Sequence, residues 1–194
     1  EALHAEVATL RLGFMNNAQA LLHGDLHSGS IFLNESDLKV LDPEFAFYGP
    51  MGYDIGNVIG NLFFSWAYRV FTAPEQADVT NALAACIEKT FDLTLEKLGR
   101  RYDEWVTLPL YRVPAFRQRW LDQVAADSVG YAGTEIIRRT VGDSKVAELD
   151  SVTDSEVKLP MERALLKLGI FFIKNRNQLH NGRDLTACFR LILS

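Results

Sequence analysis

Two short segments near the start of the chain decide how it is interpreted: HGDLHSGS at residues 23–30 and DPE at residues 42–44. Between them, the turn-forming residues 34–37 separate the apolar runs 31–33 and 39–41. Apolar runs flanking such a turn predict a β-hairpin. Because a hairpin returns the chain to its starting edge, we expect the two segments to lie together at one rim.

The two segments carry three carboxylates, those of Asp25, Asp42 and Glu44, and the hairpin predicts that they converge. A convergent acidic cluster needs a cation, and Mg²⁺ prefers a few hard oxygen ligands together with substrate phosphates. The pattern therefore indicates phosphoryl transfer, with Asp42 and Glu44 on the metal and Asp25 free to accept a hydroxyl proton. The competing interpretation is that the three residues are ordinary solvated loop acids. That interpretation would be preferred for any one of them alone, but it explains the joint pattern poorly.

Outside these loops the sequence predicts helices. Apolar residues at three- and four-residue spacing, with caps and prolines at the boundaries, give the periodicity of amphipathic helices. The predicted helices cover residues 2–17, 54–70, 74–98, 115–141, 160–175 and 184–193. Strands are confined to the first quarter of the chain. The expected fold class is therefore α+β and mainly helical, in a single domain over residues 1–194 with the hairpin at its catalytic rim.

Composition excludes several classes of protein. An apolar fraction of 48% excludes a disordered chain, and two cysteines in 194 residues exclude a disulfide scaffold. A net charge of −5 argues against a nucleic-acid partner. No signal segment and no apolar run long enough for a bilayer is visible, so we expect no membrane partner and a cytoplasmic location.

The HGDLH motif at residues 23–27, followed by Asp42 after the hairpin, resembles the catalytic and metal-binding loops of protein-kinase-like small-molecule kinases. That group includes the aminoglycoside, choline and homoserine kinases. The resemblance implies the C-terminal lobe of a kinase-like fold, in which Asp25 orients the acceptor hydroxyl and accepts its proton, and Asp42 binds the metal. Two positions depart from the usual pattern: Ser30 replaces an asparagine metal ligand, and Glu44 replaces a glycine or similar residue.

The combination of Ser30 with Asp42 and Glu44, together with FYGPMGYDIG at residues 47–56, is similar to the 5-methylthioribose kinase family. This resemblance implies transfer of the ATP γ-phosphoryl group to the anomeric 1-hydroxyl of 5-methylthioribose, a step of methionine salvage. It also implies Mg²⁺, ATP as co-substrate, and a homodimer in the full-length enzyme.

The family uses a pair of adjacent arginines on a C-lobe helix for substrate and phosphate recognition, and Arg138 and Arg139 match that pair. Guanidinium groups can bind sugar hydroxyls and stabilise charge on the transferring phosphoryl group. Adjacent helical residues, however, point about 100° apart. A pair of surface arginines therefore remains the alternative.

The resemblance also assigns roles within the loops. Ser30 and His27 are placed on the cofactor side, although His27 suits shaping of the loop equally well. His23 is interpreted as structural support for the catalytic loop. Asp54 is expected to accept backbone N–H bonds from that loop, or to serve as the N-cap of the following helix.

A kinase of this group needs a β-rich N-lobe with a phosphate-covering loop and a strand lysine, and no such segment precedes residue 23. We therefore expect a C-lobe alone, with catalytic and metal loops over residues 23–56 and a helical substrate-binding part over 57–194. Without the N-lobe as partner, this chain is expected to be inactive. Two alternatives stay open: another small-molecule phosphotransferase of the same group, or a non-catalytic, kinase-derived binding module.

Overall fold

A computed structural model describes the chain from residue 1 to residue 194 and places most of it in helices. The helices are α1 (Ala2–Asn16), α2 (Gly52–Thr72), α3 (Ala77–Trp105), α4 (Pro114–Val141), α5 (Ala147–Asp150), α6 (Ser155–Asn175) and α7 (Gly182–Leu193). The strands are β1 (Ala20–Leu22), β2 (Ile31–Leu33), β3 (Leu38–Val40) and β4 (Phe47–Gly49). The prediction of a mainly helical α+β chain with strands only in its first quarter is confirmed.

The four strands form two separate two-stranded antiparallel sheets. In the predicted hairpin, β2 pairs with β3 and Ile31 lies opposite Val40. In the second sheet, β1 pairs with β4 and Ala20 lies opposite Gly49. The sequence did not predict β4, because this three-residue strand lies between prolines and glycines that are typical of a loop. Because β4 pairs with β1, the two ends of the segment 23–46 lie next to each other.

Two helix boundaries differ from the prediction by five residues or more. Helix α3 extends to Trp105, beyond the expected end at residue 98. Helix α6 begins at Ser155, so Pro160 lies inside the helix rather than in its first turn. The earlier start follows from Asp154, whose side chain accepts a hydrogen bond from the backbone N–H of Glu156 and so caps the helix.

The hydrophobic core lies between helices α2, α3, α4, α6 and α7. A cluster of 22 buried residues forms it, and the rings of Phe63, Phe172 and Phe189 meet edge to face near its centre. Burial of this apolar surface is the main source of stability. The core therefore belongs to the helical part of the chain, which supports the loops from one side.

Helices α2 and α4 approach closely because glycines line α2 where the two meet. A Cβ atom on Gly56 would lie 2.6 Å from the backbone oxygen of Ser128, and one on Gly52 would lie 2.6 Å from the nitrogen of the same residue. One turn further along, a Cβ on Gly60 would lie 3.3 Å from Cγ of Glu135. The absence of these side chains lets α4 lie directly against α2, whose N-terminus adjoins the catalytic loop.

Helix α1 packs on this body through a smaller apolar cluster, in which Leu10, Tyr131 and Ile173 are buried. The Tyr131 hydroxyl donates a hydrogen bond to the backbone oxygen of Leu10 at 3.0 Å. Burial raises the pKa of Tyr131, so this hydroxyl remains a donor. Both cysteines are free thiols. None of the helices is long and apolar enough to cross a membrane.

Candidate active site

The catalytic loop is fastened to α2 by the carboxylate of Asp54. Its two oxygens accept hydrogen bonds from the backbone N–H groups of His23, at 2.6 Å, and Gly24, at 3.1 Å. Asp54 is buried and is the third residue of α2, which begins at Gly52, so it is not the N-cap of that helix. Bonds from backbone amides to a charged acceptor are strong, and they fix the loop where it leaves β1.

His23 connects the catalytic loop to the end of β3. Its Nε2 atom lies 2.7 Å from the backbone oxygen of Leu41, and a carbonyl oxygen can only accept. Nε2 therefore carries the hydrogen, and the neutral ring leaves Nδ1 free to accept the backbone N–H of Asp25 at 3.4 Å. One imidazole thus ties Asp25 to the residue before Asp42.

His27 lies beside Asp25 in a defined tautomer. Its Nδ1 atom accepts the backbone N–H of Gly29 at 3.0 Å, so in the neutral ring Nε2 carries the hydrogen. Nε2 lies 3.3 Å from the hydroxyl oxygen of Ser30 and 3.8 Å from Oδ2 of Asp25. Ser30 itself is buried. In this structure His27 and Ser30 therefore contact each other.

Arg138 and Arg139 of α4 both reach Asp25. The Nη2 atom of Arg139 donates to Oδ1 of Asp25 at 3.2 Å, and Nη2 of Arg138 lies 3.8 Å from the same oxygen. The side chain of Arg139 is 14% exposed and that of Arg138 is 48% exposed. Residues far apart in the sequence thus meet at one carboxylate.

Sequence reasoning missed Glu135, which lies under both arginines. Its Oε2 accepts from Nε and Nη2 of Arg138 at 2.9 and 2.7 Å, and its Oε1 accepts from Nε of Arg139 at 2.8 Å. The side chain is 3% exposed. The only signal in the sequence is its position three and four residues before the arginines, a spacing that places helical side chains on one face.

Asp42 and Glu44 lie on an exposed turn after β3. Asp42 is the only residue other than glycine with a positive φ, at 60°, a conformation uncommon outside glycine. Its carboxylate makes no capping bond. No group of three His, Cys, Asp or Glu side chains is placed to hold a metal, so the three carboxylates do not form a single three-ligand metal cluster.

A cleft of about 430 Å³ opens beside Asp25. Asp25, Arg138 and Arg139 form its polar wall. Most of the remaining lining is aromatic: the rings of Phe14, Phe47 and Tyr53 lie with centroids 5.0 to 5.8 Å apart, and Phe45 also lines the cleft. Burial raises the pKa of the Tyr53 hydroxyl, so it remains neutral. The cleft can therefore hold a small molecule that is polar at one end and apolar at the other.

Comparison with known proteins supports the interpretation of residues 23–30 and 42–44 as kinase-like loops. Residues 1–88 match the phosphotransferase enzyme family, and this stretch includes both loops. Methylthioribose kinase of Geobacillus sp. (strain WCH70) is 37% identical to the chain over 189 residues, which are 97% of the chain and 46% of that protein.

Other methylthioribose kinases also match most of the chain. Methylthioribose kinase of Yersinia enterocolitica is 36% identical over 98% of the chain and 48% of its own length. That of Pectobacterium carotovorum is 40% identical over 87% of the chain and 43% of its own length. The resemblance to methylthioribose kinases is confirmed, and the chain spans about half the length of the curated relatives it matches.

Proposed function

We propose that this chain is the catalytic and sugar-binding part of a methylthioribose kinase, which transfers the γ-phosphoryl group of ATP to the anomeric 1-hydroxyl of 5-methylthioribose. Similarity to methylthioribose kinases over nearly the whole chain supports the proposal. In this assignment residues 23–56 supply the catalytic and metal loops of a kinase-like C-lobe, and residues 57–194 supply its substrate-binding part.

The observation that carries the proposal is the cleft at Asp25, which both charged and aromatic side chains line. 5-Methylthioribose has hydroxyl groups at one end and a thioether at the other. Guanidinium groups such as those of Arg138 and Arg139 bind oxygen-rich groups through directed hydrogen bonds. Thioether sulfur packs favourably against aromatic rings, which Phe14 and Tyr53 offer in the lining of the same cleft. The cleft thus matches both ends of this substrate.

Asp25 is assigned as the general base. Its carboxylate would receive the 1-hydroxyl of the sugar as a hydrogen-bond donor and accept its proton as the new P–O bond forms. The Nε2–H of His27 faces the second oxygen of Asp25 at 3.8 Å, which favours one orientation of the carboxylate. Phosphoryl transfer depends mainly on positioning and charge stabilisation, and Arg138 and Arg139 supply positive charge at this point.

Asp42 and Glu44 are assigned as metal ligands. Both are exposed and lie on a single turn, which fits Mg²⁺ because this ion is commonly held by one or two carboxylates and completed by substrate phosphates. The left-handed backbone of Asp42 is the kind of local strain that accumulates at functional sites. Bound there, Mg²⁺ would neutralise charge on the β- and γ-phosphate oxygens.

The remaining features of the proposal concern the rest of the enzyme. Ser30 and His27 are placed on the cofactor side of the loop. An N-lobe would complete the ATP site, the full enzyme would be a homodimer, and the 194-residue chain would be inactive alone. The proposed location of the enzyme is the cytoplasm.

A substrate panel tests this function. The intact natural protein, with ATP and Mg²⁺, is assayed for ADP release with 5-methylthioribose, ribose, choline and an aminoglycoside. We expect 5-methylthioribose to be preferred over ribose by about 10- to 200-fold in kcat/KM, the range that one apolar contact in a pocket provides. Phosphorylation of choline or the aminoglycoside alone would assign another member of the group. No turnover of any substrate would favour a binding module.

A further inference from the structure

Two neighbouring arginines on one helix do not naturally serve one site. Their Cβ atoms diverge by about 100° around the helix axis, yet Arg138 and Arg139 both reach the carboxylate of Asp25. The only other group that contacts both guanidiniums is the carboxylate of Glu135, one oxygen for each. The convergence of the two arginines therefore depends on an acid located beneath them.

The location of Glu135 is itself specified by packing. Its side chain is 3% exposed, and Gly60 of α2 faces it, since a Cβ there would lie 3.3 Å from its Cγ. A buried carboxylate is tolerated only when it is paired. Both oxygens of Glu135 are satisfied by the arginines, so the acid and its two partners restrict each other to one arrangement.

The charges also balance. Glu135 and Asp25 carry two negative charges, and the two guanidiniums carry two positive charges. Glu135 accepts from Nε and Nη2 of Arg138 and from Nε of Arg139. The Nη2 atom of Arg139 then donates to Asp25, and Nη2 of Arg138 lies 3.8 Å from the same carboxylate oxygen. A guanidinium presents its donors in a fixed planar fork, so holding one edge determines where the other edge points.

We propose that Glu135 is a positioning residue that directs Arg138 and Arg139 at Asp25 and at the reacting end of the sugar. The orientation of the arginines is argued from their contacts alone. The kinetic consequence of that orientation rests on the proposed function. Without this acid, Arg138, which is already half exposed, turns to solvent and Arg139 loses the bond that fixes its Nε edge.

The first test observes the arginines directly. In the intact protein, the side-chain Nε–H signals of Arg138 and Arg139 are recorded by ¹⁵N NMR and assigned with R138K and R139K. Glutamine offers one acceptor oxygen where glutamate offers two, so E135Q should shift or lose at least one of the two signals. D127N removes another buried carboxylate of α4 and should leave both unchanged. Unchanged signals in E135Q would overturn the proposal.

The second test is kinetic. Because loss of one hydrogen bond from a charged group costs about 10- to 100-fold in affinity, a displaced guanidinium in E135Q should raise KM for 5-methylthioribose by about that factor and leave KM for ATP unchanged. Partial unfolding would lower the apparent kcat without moving either KM. E135D keeps the charge but shortens the side chain, so it gives the same test if E135Q does not fold. Altered NMR signals with an unchanged KM would overturn the positioning role.

The two tests separate this inference from the proposed function. If the wild-type protein does not phosphorylate 5-methylthioribose, the proposed function fails, and the NMR comparison of E135Q with D127N still decides whether Glu135 orients the arginines.

Discussion

The loop region, residues 23–51, and the helical region, residues 52–194, which begins with α2, are held in different ways. No apolar side chain of the loop region belongs to the buried core, and the region is attached by polar bonds such as those of Asp54 and His23. The helical region is held by a cluster of 22 buried residues and by close contact between helices. The comparison teaches that the geometry of the site and the stability of the chain depend on separate sets of residues.

The largest effect is expected from D25N in the loop region. The substitution removes the proposed base, which typically contributes about 10²- to 10⁴-fold to a rate, so kcat of the intact enzyme should fall by about 10³-fold. The side chain of Asp25 is 33% exposed and lies outside the core, so the melting temperature should change little. Steady-state kinetics and thermal unfolding of the same preparation check both parts.

The control for this variant is E35Q, an exposed acid in the hairpin turn, which should retain full activity. A kcat for D25N within threefold of wild type would remove Asp25 as the base. A large loss of stability in D25N would contradict the separation between the two regions.

A smaller effect is expected from G56A, at the contact between α2 and α4, and it should fall on stability rather than on catalysis. The new Cβ would lie 2.6 Å from the backbone oxygen of Ser128, and backbone cannot move aside as a side chain can. Overpacking costs about 1 to 3 kcal/mol or more, against a gain of about 1 kcal/mol in helix propensity. We expect a net loss of about 1 to 2 kcal/mol in the free energy of unfolding, measured by urea denaturation.

Gly99 of α3 provides the matched control. It is also a buried helical glycine, but the nearest atom to an added Cβ is the end of the Arg117 side chain, which can move. G99A should therefore be neutral or stabilising by about 1 kcal/mol. Equal losses in the two variants would show that the close approach of α4 has no special energetic role.

The third variant, D54N, tests the link between the two regions. An amide keeps one acceptor oxygen, but its NH₂ group faces a backbone N–H, so one of the two bonds to the loop is lost. A bond to a charged acceptor is worth about 1.5 to 3 kcal/mol. Hydrogen exchange at the amides of His23 and Gly24 should therefore accelerate by about 10- to 100-fold, while exchange in the core of α6 stays unchanged.

D78N is its control, because Asp78 is another acid in the first turn of a helix and contacts neither loop. If D54N unfolds the helical core as well, the loop region is more tightly coupled to the core than its contacts indicate.

Local patterns in the sequence predicted most of the secondary structure, because helices and the β2–β3 hairpin depend on neighbours within a few residues. They failed where long-range contacts decide. Strand β4 exists only because it pairs with β1, and Pro160 is accommodated inside α6 because the Asp154 cap starts that helix earlier. The strand pairing is not visible in a window of ten residues, whereas the Asp154 cap is a local signal six residues before Pro160 that the prediction overlooked.

The site residues also divide into those that local sequence predicted and those that depend on long-range packing. The loop motifs identified Asp25 as a candidate from local chemistry alone. That Asp25 would lie against Arg138 and Arg139 depends on how α4 packs on α2. Glu135 was missed because a glutamate three residues before an arginine is common on exposed helices, and only its burial gives it significance.

The pairing of β1 with β4 has one further consequence. Because Ala20 lies opposite Gly49, the segment between these strands leaves the body and returns to it at adjacent points. Its tip, where the Asn34 side chain closes the turn by accepting from the backbone of Ser36 and Asp37, is exposed and is a natural place for insertions. The segment between β1 and β4 is therefore replaceable as a unit. A different loop with the same two ends could be joined to this strand pair and give the helical region new chemistry without any change in its core.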